Sequence, residues 1–182
     1  ITSTADELNL LSGVTTILSS VTEGGNTGVR LSTSVAANHG DIGSNAVDLS
    51  YSGFSSSTRG ATGTYSTAMG NFTTATGSQS TAMGGNTTAS GDASTAMGFE
   101  TTASGDYSTA MGALTTASGD ASTAMGNFTT ASGSFSTAMG VGAEASGQSS
   151  TAMGYGTIAS DFGSTVIGQY NSSGSTVTNS AT

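Results

Sequence analysis

A period of fourteen constrains this chain more than any other feature. Methionine stands at Met69, Met83, Met97, Met111, Met125, Met139 and Met153, each fourteen residues after the last, and Ile167 takes the next place. These are all seven methionines of the protein. A fixed spacing of this kind means one structural unit stacked on copies of itself, so the chain reads as a solenoid and not as a globule. Composition sharpens the point. With 28 Gly, no Pro, Trp or Cys and only 7% charged residues in 182, the chain has too few large apolar side chains for a conventional core. Strict periodicity argues against disorder, because stacked coils form a backbone ladder around a thin core of small residues.

The unit is clearest in STAMGFETTASGDY, Ser94 to Tyr107. Each period splits into two halves of seven, a glycine, two variable residues and four nearly fixed ones, with STAM in one half and TTAS in the other. The spacing predicts two strands of four or five residues and two glycine turns per coil. The exchangeable pairs, such as Asn71-Phe72, Phe99-Glu100 and Val141-Gly142, are expected to be solvent-facing turns. Strand alternation places Ser108, Ala110 and Gly112 on one side and Thr109 and Met111 on the other. A roll this narrow admits only small side chains inside, so Ser, Ala and Gly are assigned inward, with Ala117 facing them from the second strand.

Thr67, Thr81, Thr95, Thr109, Thr123, Thr137 and Thr151 then point outward beside the methionines and Ile167. Contiguous apolar surface of this kind marks an interface. The stripe follows the stacking axis over about 35 Å at about 4.8 Å per rung, which suits identical rolls packed side by side. These Thr, Met and Ile residues are the expected oligomer seam.

The flanks are read by local pattern. Residues 1–14 form a short helical segment, with Thr4 and Glu7 as a capping box and Leu8, Leu10, Leu11 and Val14 as one face. Residues 15–50 are an irregular β connector with Glu23-Gly24-Gly25-Asn26 as its clearest turn and Val29, Leu31, Val47 and Leu49 in alternation. The repeat array occupies 51–170 and is regular from Tyr65; YSGFSSSTRGATG from Tyr51 aligns as a degenerate copy on YSTAMGNFTTATG. Residues 171–182 form a polar tail, and the whole reads as an excerpt of something longer.

Function classes narrow quickly. The net charge of −9, with Arg30 and Arg59 the only Arg and no Lys, repels phosphate backbones and speaks against nucleic acid. No apolar run reaches membrane-spanning length, so no membrane insertion is expected. His39, the only histidine, has just Asp41 as a nearby carboxylate in sequence and reads as a turn residue; no serine has an evident activator, and neither catalytic, cofactor nor metal residues are assigned. Asp92, Asp106 and Asp120 share a column, but Ser78, Ser134 and Gln148 take the same place in other copies, so solvated turn acids are preferred to a calcium ladder. The aromatic residues Tyr65, Phe72, Phe99, Tyr107, Phe128, Phe135 and Tyr155 are the large groups in the turns and the candidate ligand contacts, suited to stacking on sugar rings or entering a receptor.

The phrase STAMG, two free residues and TTASG resembles the head repeat of YadA-like trimeric autotransporter adhesins, from Tyr65 to Gly168. The resemblance implies an all-β, left-handed parallel β-roll that associates as a homotrimer to make an adhesive head. Thr67 with Met69 is a less hydrophobic outward pair than is usual in that family. The opening ITSTADELNLLSGVT resembles segments of phage tail fibres and of large secreted repeat proteins. The expected function is a structural and adhesive segment of an extracellular fibre, on a cell surface or a virion tail, that attaches through its turns to a host cell, glycan or neighbouring filament. It is not expected to be an enzyme. Two alternatives are a pure fibre spacer and an ice-binding solenoid, since the columns from Thr67, from Thr73 to Thr129 and from Thr74 to Thr130 resemble the threonine ladders of some antifreeze proteins.

Overall fold

The computed structural model describes residues 18–173. The expected helix at 1–14 and most of the polar tail lie outside the described residues. What is described is a parallel β-solenoid of flattened coils with two sheets back to back. The larger sheet has 11 strands and the smaller 8. Among the described residues the only helical element is a 3-10 turn at Ala36–Asn38.

The array is a register-perfect stack. Thr95, Ala96, Met97 and Gly98 pair with Thr109, Ala110, Met111 and Gly112, and those with the same four residues of the next coil. Each coil contributes a five-residue strand, such as Thr109–Ala113, and a two-residue strand, such as Thr116–Ala117. The second strand is shorter than the four or five residues expected. Hydrogen bonds run along the stack between coils, as from Thr95 N to Ser108 O at 2.8 Å and from Thr102 N to Thr115 O at 2.9 Å.

The ladder reaches further toward the N-terminus than the repeat motif does. Strand β1 (Leu18–Glu23) and β2 (Asn26–Leu31) form a hairpin in which Leu18 faces Leu31 and Glu23 faces Asn26. Gly24 and Gly25 make its turn, at φ of 55° and 84°, the positive values that a tight two-residue hairpin demands. Strand β3 (Val47–Tyr51) follows in parallel, and its Val47 and Leu49 lie in register with Thr67 and Met69. This corrects the alignment of Tyr51 on Tyr65: Tyr51 pairs with Asn71, and VDLSY is the true equivalent of TAMGN. Partners Val47 and Thr67 are therefore twenty residues apart instead of fourteen. The extra residues form a loop that hid the period, whereas Gly60–Ala61 still pairs with Thr74 and Ala75 as the motif implies.

The interior is an alanine stack. Ala68, Ala82, Ala96, Ala110, Ala124, Ala138 and Ala152 line it from the large sheet and Ala75 to Ala159 from the small one, all fully buried. The inward serines are buried as expected, but threonine is inside too: Thr73, Thr87, Thr101, Thr115, Thr129 and Thr157 are fully buried. The restriction to Ser, Ala and Gly was too strict, and one of the threonine columns considered for ice binding is not on the surface.

Two glycine columns set the coil spacing for different reasons. At Gly105 a Cβ would sit 2.2 Å from the carbonyl oxygen of Gly119. At Gly98 it would sit 1.9 Å from the carbonyl oxygen of Gly112, and φ is +125° as well. No other residue satisfies both demands. The Gly98 column is half-exposed and not an inward lining.

The buried hydroxyls are a cost within this core. Ser66 Oγ donates to Gly63 O at 2.7 Å, but the hydroxyls from Ser80 to Ser164 and from Thr73 to Thr157 in the same two columns have no hydrogen-bond partner. Ala143 takes the place of a threonine in one column without disturbing the register. Thr115→Val, which removes an orphaned hydroxyl at constant shape, is expected to stabilise the roll by about 1 kcal/mol, read as a higher urea midpoint. An unchanged or lower midpoint would mean that the hydroxyl has a partner in solution.

Candidate functional site

Three surfaces and one buried cluster carry the chemistry of this molecule. The first surface is the outer face of the large sheet. Here the Thr67 to Thr151 column and the Met69 to Met153 column stand side by side, in register and close to half-exposed, with Met69 at 37% and Met153 at 36% the most open. Ile167 extends the stripe at 61% exposure, and Val47 and Leu49 extend it at the other end. All fifteen residues predicted for the seam thus share one flat face, with Thr and Met alternating across it.

The second surface is the pair of turn edges. The seven aromatic residues divide between them. Tyr65, Tyr107 and Phe135 lie on the edge that leads from the small sheet to the large one, and all three are exposed. Phe72, Phe99, Phe128 and Tyr155 lie on the opposite edge. Two of these four are engaged. Phe72 is stacked on Phe54 with centroids 6.0 Å apart and lies under the Arg59 guanidinium at 4.4 Å, so the inserted loop covers it. Tyr155 meets Tyr170 edge to face at 5.1 Å. On this edge the first member of each variable pair, Phe99 and Tyr155 included, ends a strand; only the second is a turn residue proper.

That second residue has a feature the sequence does not announce. Tyr65, Phe72, Gln79, Asn86, Ala93, Glu100, Tyr107, Leu114, Ala121, Phe128, Phe135 and Ser149 all have φ between 51° and 60°. Glycine or asparagine is favoured in this left-handed region, and other residues there carry strain of about 1 kcal/mol or more. Stacking imposes it, since each turn amide must reach the preceding coil, as Tyr107 N reaches Asp92 O at 2.8 Å and Leu114 N reaches Phe99 O at 2.9 Å. Relieving the strain in Tyr107→Asn is expected to raise stability by about 0.5–1 kcal/mol. A denaturation midpoint that falls would show that the ring contributes packing which outweighs its backbone strain.

The aspartate column is structural. Asp92 Oδ1 accepts from Ser78 N at 2.8 Å, Asp106 Oδ1 from Asp92 N at 2.8 Å, and Asp120 Oδ1 from Asp106 N at 3.3 Å. Each carboxylate ties its turn to the one before instead of simply facing solvent. Among the described residues no group of three or more His, Cys, Asp or Glu side chains is placed to hold a metal ion.

A third surface is a groove of about 350 Å³ where the Phe72 edge meets the outer face of the small sheet. Thr88, Thr102 and Thr116 form its floor, and Asn86, Glu100, Leu114 and Phe128 form its wall.

The buried cluster was missed from the sequence. Arg30 and Asp48 occupy successive inward places, in register with each other and with Ala68, so charges plug the N-terminal end of the alanine stack. Arg30, 3% exposed, reaches Asp48 Oδ2 at 3.1 Å, Glu23 Oε1 at 2.8 Å and Gly40 O at 2.9 Å. Glu23 Oε2 accepts from Ile42 N at 3.0 Å. His39 is no exposed turn residue: it is buried with Nδ1 3.1 Å from Asp48 Oδ2, while Asp41 is exposed. Ser50 Oγ donates to Asp48 Oδ1 at 2.5 Å. Ser, His and Asp meet here, but the serine hydroxyl is bonded to the carboxylate and is also nearest the Nδ1 that faces it, at 3.4 Å. That is a fastening and not the relay of a nucleophilic triad, in which the serine and the acid engage opposite ring nitrogens. The alternation of Val29 with Leu31 and of Val47 with Leu49 did hold a signal, since it turns Arg30 and Asp48 inward.

Burial opposes ionisation of Asp48, yet the hydrogen bonds from His39 and Ser50 outweigh it and hold its carboxyl below the usual aspartate range. A carboxyl with a lowered folded pKa gives stability that is complete above its unfolded value and lost as pH falls through the folded one. The N-terminal coils are therefore expected to open first below about pH 4. Amide exchange should show Val29 and Val47 losing protection relative to the central coils on acidification, and Asp48→Asn should lower their protection at neutral pH and abolish its further loss in acid. Uniform loss along the roll would refute the assignment.

Comparison with known proteins follows from this geometry. The family model described as the YadA head domain repeat (2 copies) matches residues 61–87, 89–115, 117–143 and 145–171, more than half of the chain. No curated protein matches it.

Proposed function

The chain belongs to the YadA head-repeat family, and from this premise we propose that it is a structural and adhesive segment of an extracellular fibre, assembled as a homotrimer through its Thr/Met face. The observation that carries the proposal is the continuous stripe from Leu49 through the methionine column to Ile167 on one flat face. Partly exposed methionines in an unbroken row are poorly matched to water, and each gains about 0.5–1 kcal/mol when the remaining third of its surface is buried. The family supports surface adhesion as the setting. A cell envelope or a virion tail is the owner of the fibre, and the turns present the surface that meets a host cell, a glycan or another filament. The work is mechanical: the backbone ladder stiffens the rod, the seam joins the chains, and no bond is made or broken.

A second reading has an observation of its own. The outer face of the small sheet repeats Thr-Ala-Ser at 88–90, 102–104, 116–118 and 130–132, with Thr half-exposed and Ser exposed. This is an ordered hydroxyl array on the face away from the Thr/Met stripe, and it keeps the ice-binding alternative in play. A pure spacer uses the same rod with neither surface engaged.

Light scattering separates the fibre readings from the ice-binding one. The native chain is expected to have the mass of a trimer, and the variant with Met97, Met111 and Met125 changed to Ser the mass of a monomer. A native monomer indifferent to the three changes would refute the seam and leave the hydroxyl face, tested by freezing-point depression, as the reading to pursue.

A further inference from the structure

The groove on the Phe72 edge is local although the fold is periodic. Its wall comes from one turn position in four successive coils, Asn86, Glu100, Leu114 and Phe128. Beyond Phe128 the same position holds Gly142 and Gly156, which have no side chain to build a wall. Before Asn86 it holds Phe72, which the inserted loop covers. The floor ends in the same region, since Glu144 and Ile158 replace threonine after Thr130. Substitution within a repeat has therefore made one bounded groove, about 14 Å long over four coils.

Its lining is of three kinds. Phe128, 60% exposed, offers an aromatic face, and Leu114, 38% exposed, continues the apolar wall. Glu100 is an acceptor, Asn86 both donor and acceptor, and the floor threonines add hydroxyls at every coil. These wall residues have φ between 52° and 55°, so Leu114 and Phe128 keep large exposed side chains where glycine or asparagine would relieve the backbone. The stack imposes this conformation on the turns of both edges, so what this edge adds is exposed apolar surface set beside a hydroxyl ladder. Charge narrows the ligand. The groove contains a carboxylate and no cation; of the two arginines, Arg30 is buried in the N-terminal plug and Arg59 sits over Phe72.

We propose that this groove binds a linear, uncharged oligosaccharide laid along the roll axis. A sugar ring has an apolar face for Phe128 and Leu114 and edge hydroxyls for Glu100, Asn86 and the threonine ladder, and its repeat along the chain suits a floor that itself repeats. Acidic glycans are repelled by Glu100 and by the net charge of −9. The inference rests on the adhesive reading and specifies its ligand class. It also fits a seam on the large sheet, because the groove belongs to the opposite face.

The test uses the assembled chain with 13C-labelled leucine methyl groups, Leu114 being the sole leucine after Leu49. Cellopentaose and penta-N-acetylchitopentaose are the neutral probes and pentagalacturonate the acidic one, each titrated into the millimolar range. At least one neutral probe is expected to shift the Leu114 methyl signals with saturation, and the acidic probe to leave them unmoved. Phe128→Asn, which the left-handed turn accommodates, should weaken binding about tenfold, as should Glu100→Gln, while Phe135→Asn on the opposite edge leaves it unchanged. Absence of saturable shifts with both neutral probes, tighter binding of the acidic probe, or dependence on Phe135 in place of Phe128 would overturn the proposal. The mass of the same sample keeps the two readings apart: a trimer that ignores the probes refutes the groove alone, and a monomer that binds them refutes the fibre alone.

Discussion

Everything in this protein depends on the clearance between one coil and the next. Backbone ladders on both sheets hold successive coils at strand spacing, and two glycine columns allow that approach where a single Cβ would meet a carbonyl oxygen at about 2 Å. With that distance set, the Ala and Ser columns can be only as large as the roll is thin. The backbone of every coil is then nearly the same, whatever side chains it carries. A chain with 7% charged residues and few large apolar groups thereby folds on repetition, each coil burying the faces of its neighbours.

Uniform backbone has consequences for the surface. The turn residues inherit a left-handed conformation from the stack, so Tyr107 and Phe128 adopt it as Asn86 does. Variation in the turns changes what is displayed and not how the chain runs. One flat face carries Thr and Met, the opposite one Thr and Ser, and the two edges carry what the individual coils supply. This division lets a seam, a ligand groove and a stiff rod coexist on fourteen-residue units.

At the N-terminal end the same frame accepts a different solution. Arg30 and Asp48 stand where alanine stands elsewhere, and Glu23, His39, Ser50 and the Gly40 carbonyl complete their bonding. Gly60 makes room for the carboxylate, since a Cβ there would lie 2.3 Å from Asp48 Oδ2. Buried charges of this kind stabilise only as a complete set, because removing one member leaves another unpaired in a dry site. They fill the alanine places of β2 and β3 with groups that bond one another, beneath the hairpin partner β1.

The period of fourteen determined the solenoid once joined to a glycine every seven residues, because glycine at that frequency breaks a helix and leaves stacked strands and turns as the way to bring seven methionines into one column. Strand alternation likewise put Thr and Met outward and Ala inward, since neighbouring side chains on a strand face opposite ways. Tertiary structure decided the rest. Tyr51 pairs with Asn71 because the ladder follows strand register and ignores the residues looped out between; Thr115 is buried because the short second strand turns it inward. His39 is buried and bonded because Asp48, nine residues away, is folded against it. The groove, finally, exists only where Glu100, Leu114 and Phe128, each fourteen residues from the next, become neighbours. Such contacts run along the stack, at right angles to the chain, and local sequence carries no record of what a residue's neighbours one coil away will together enclose.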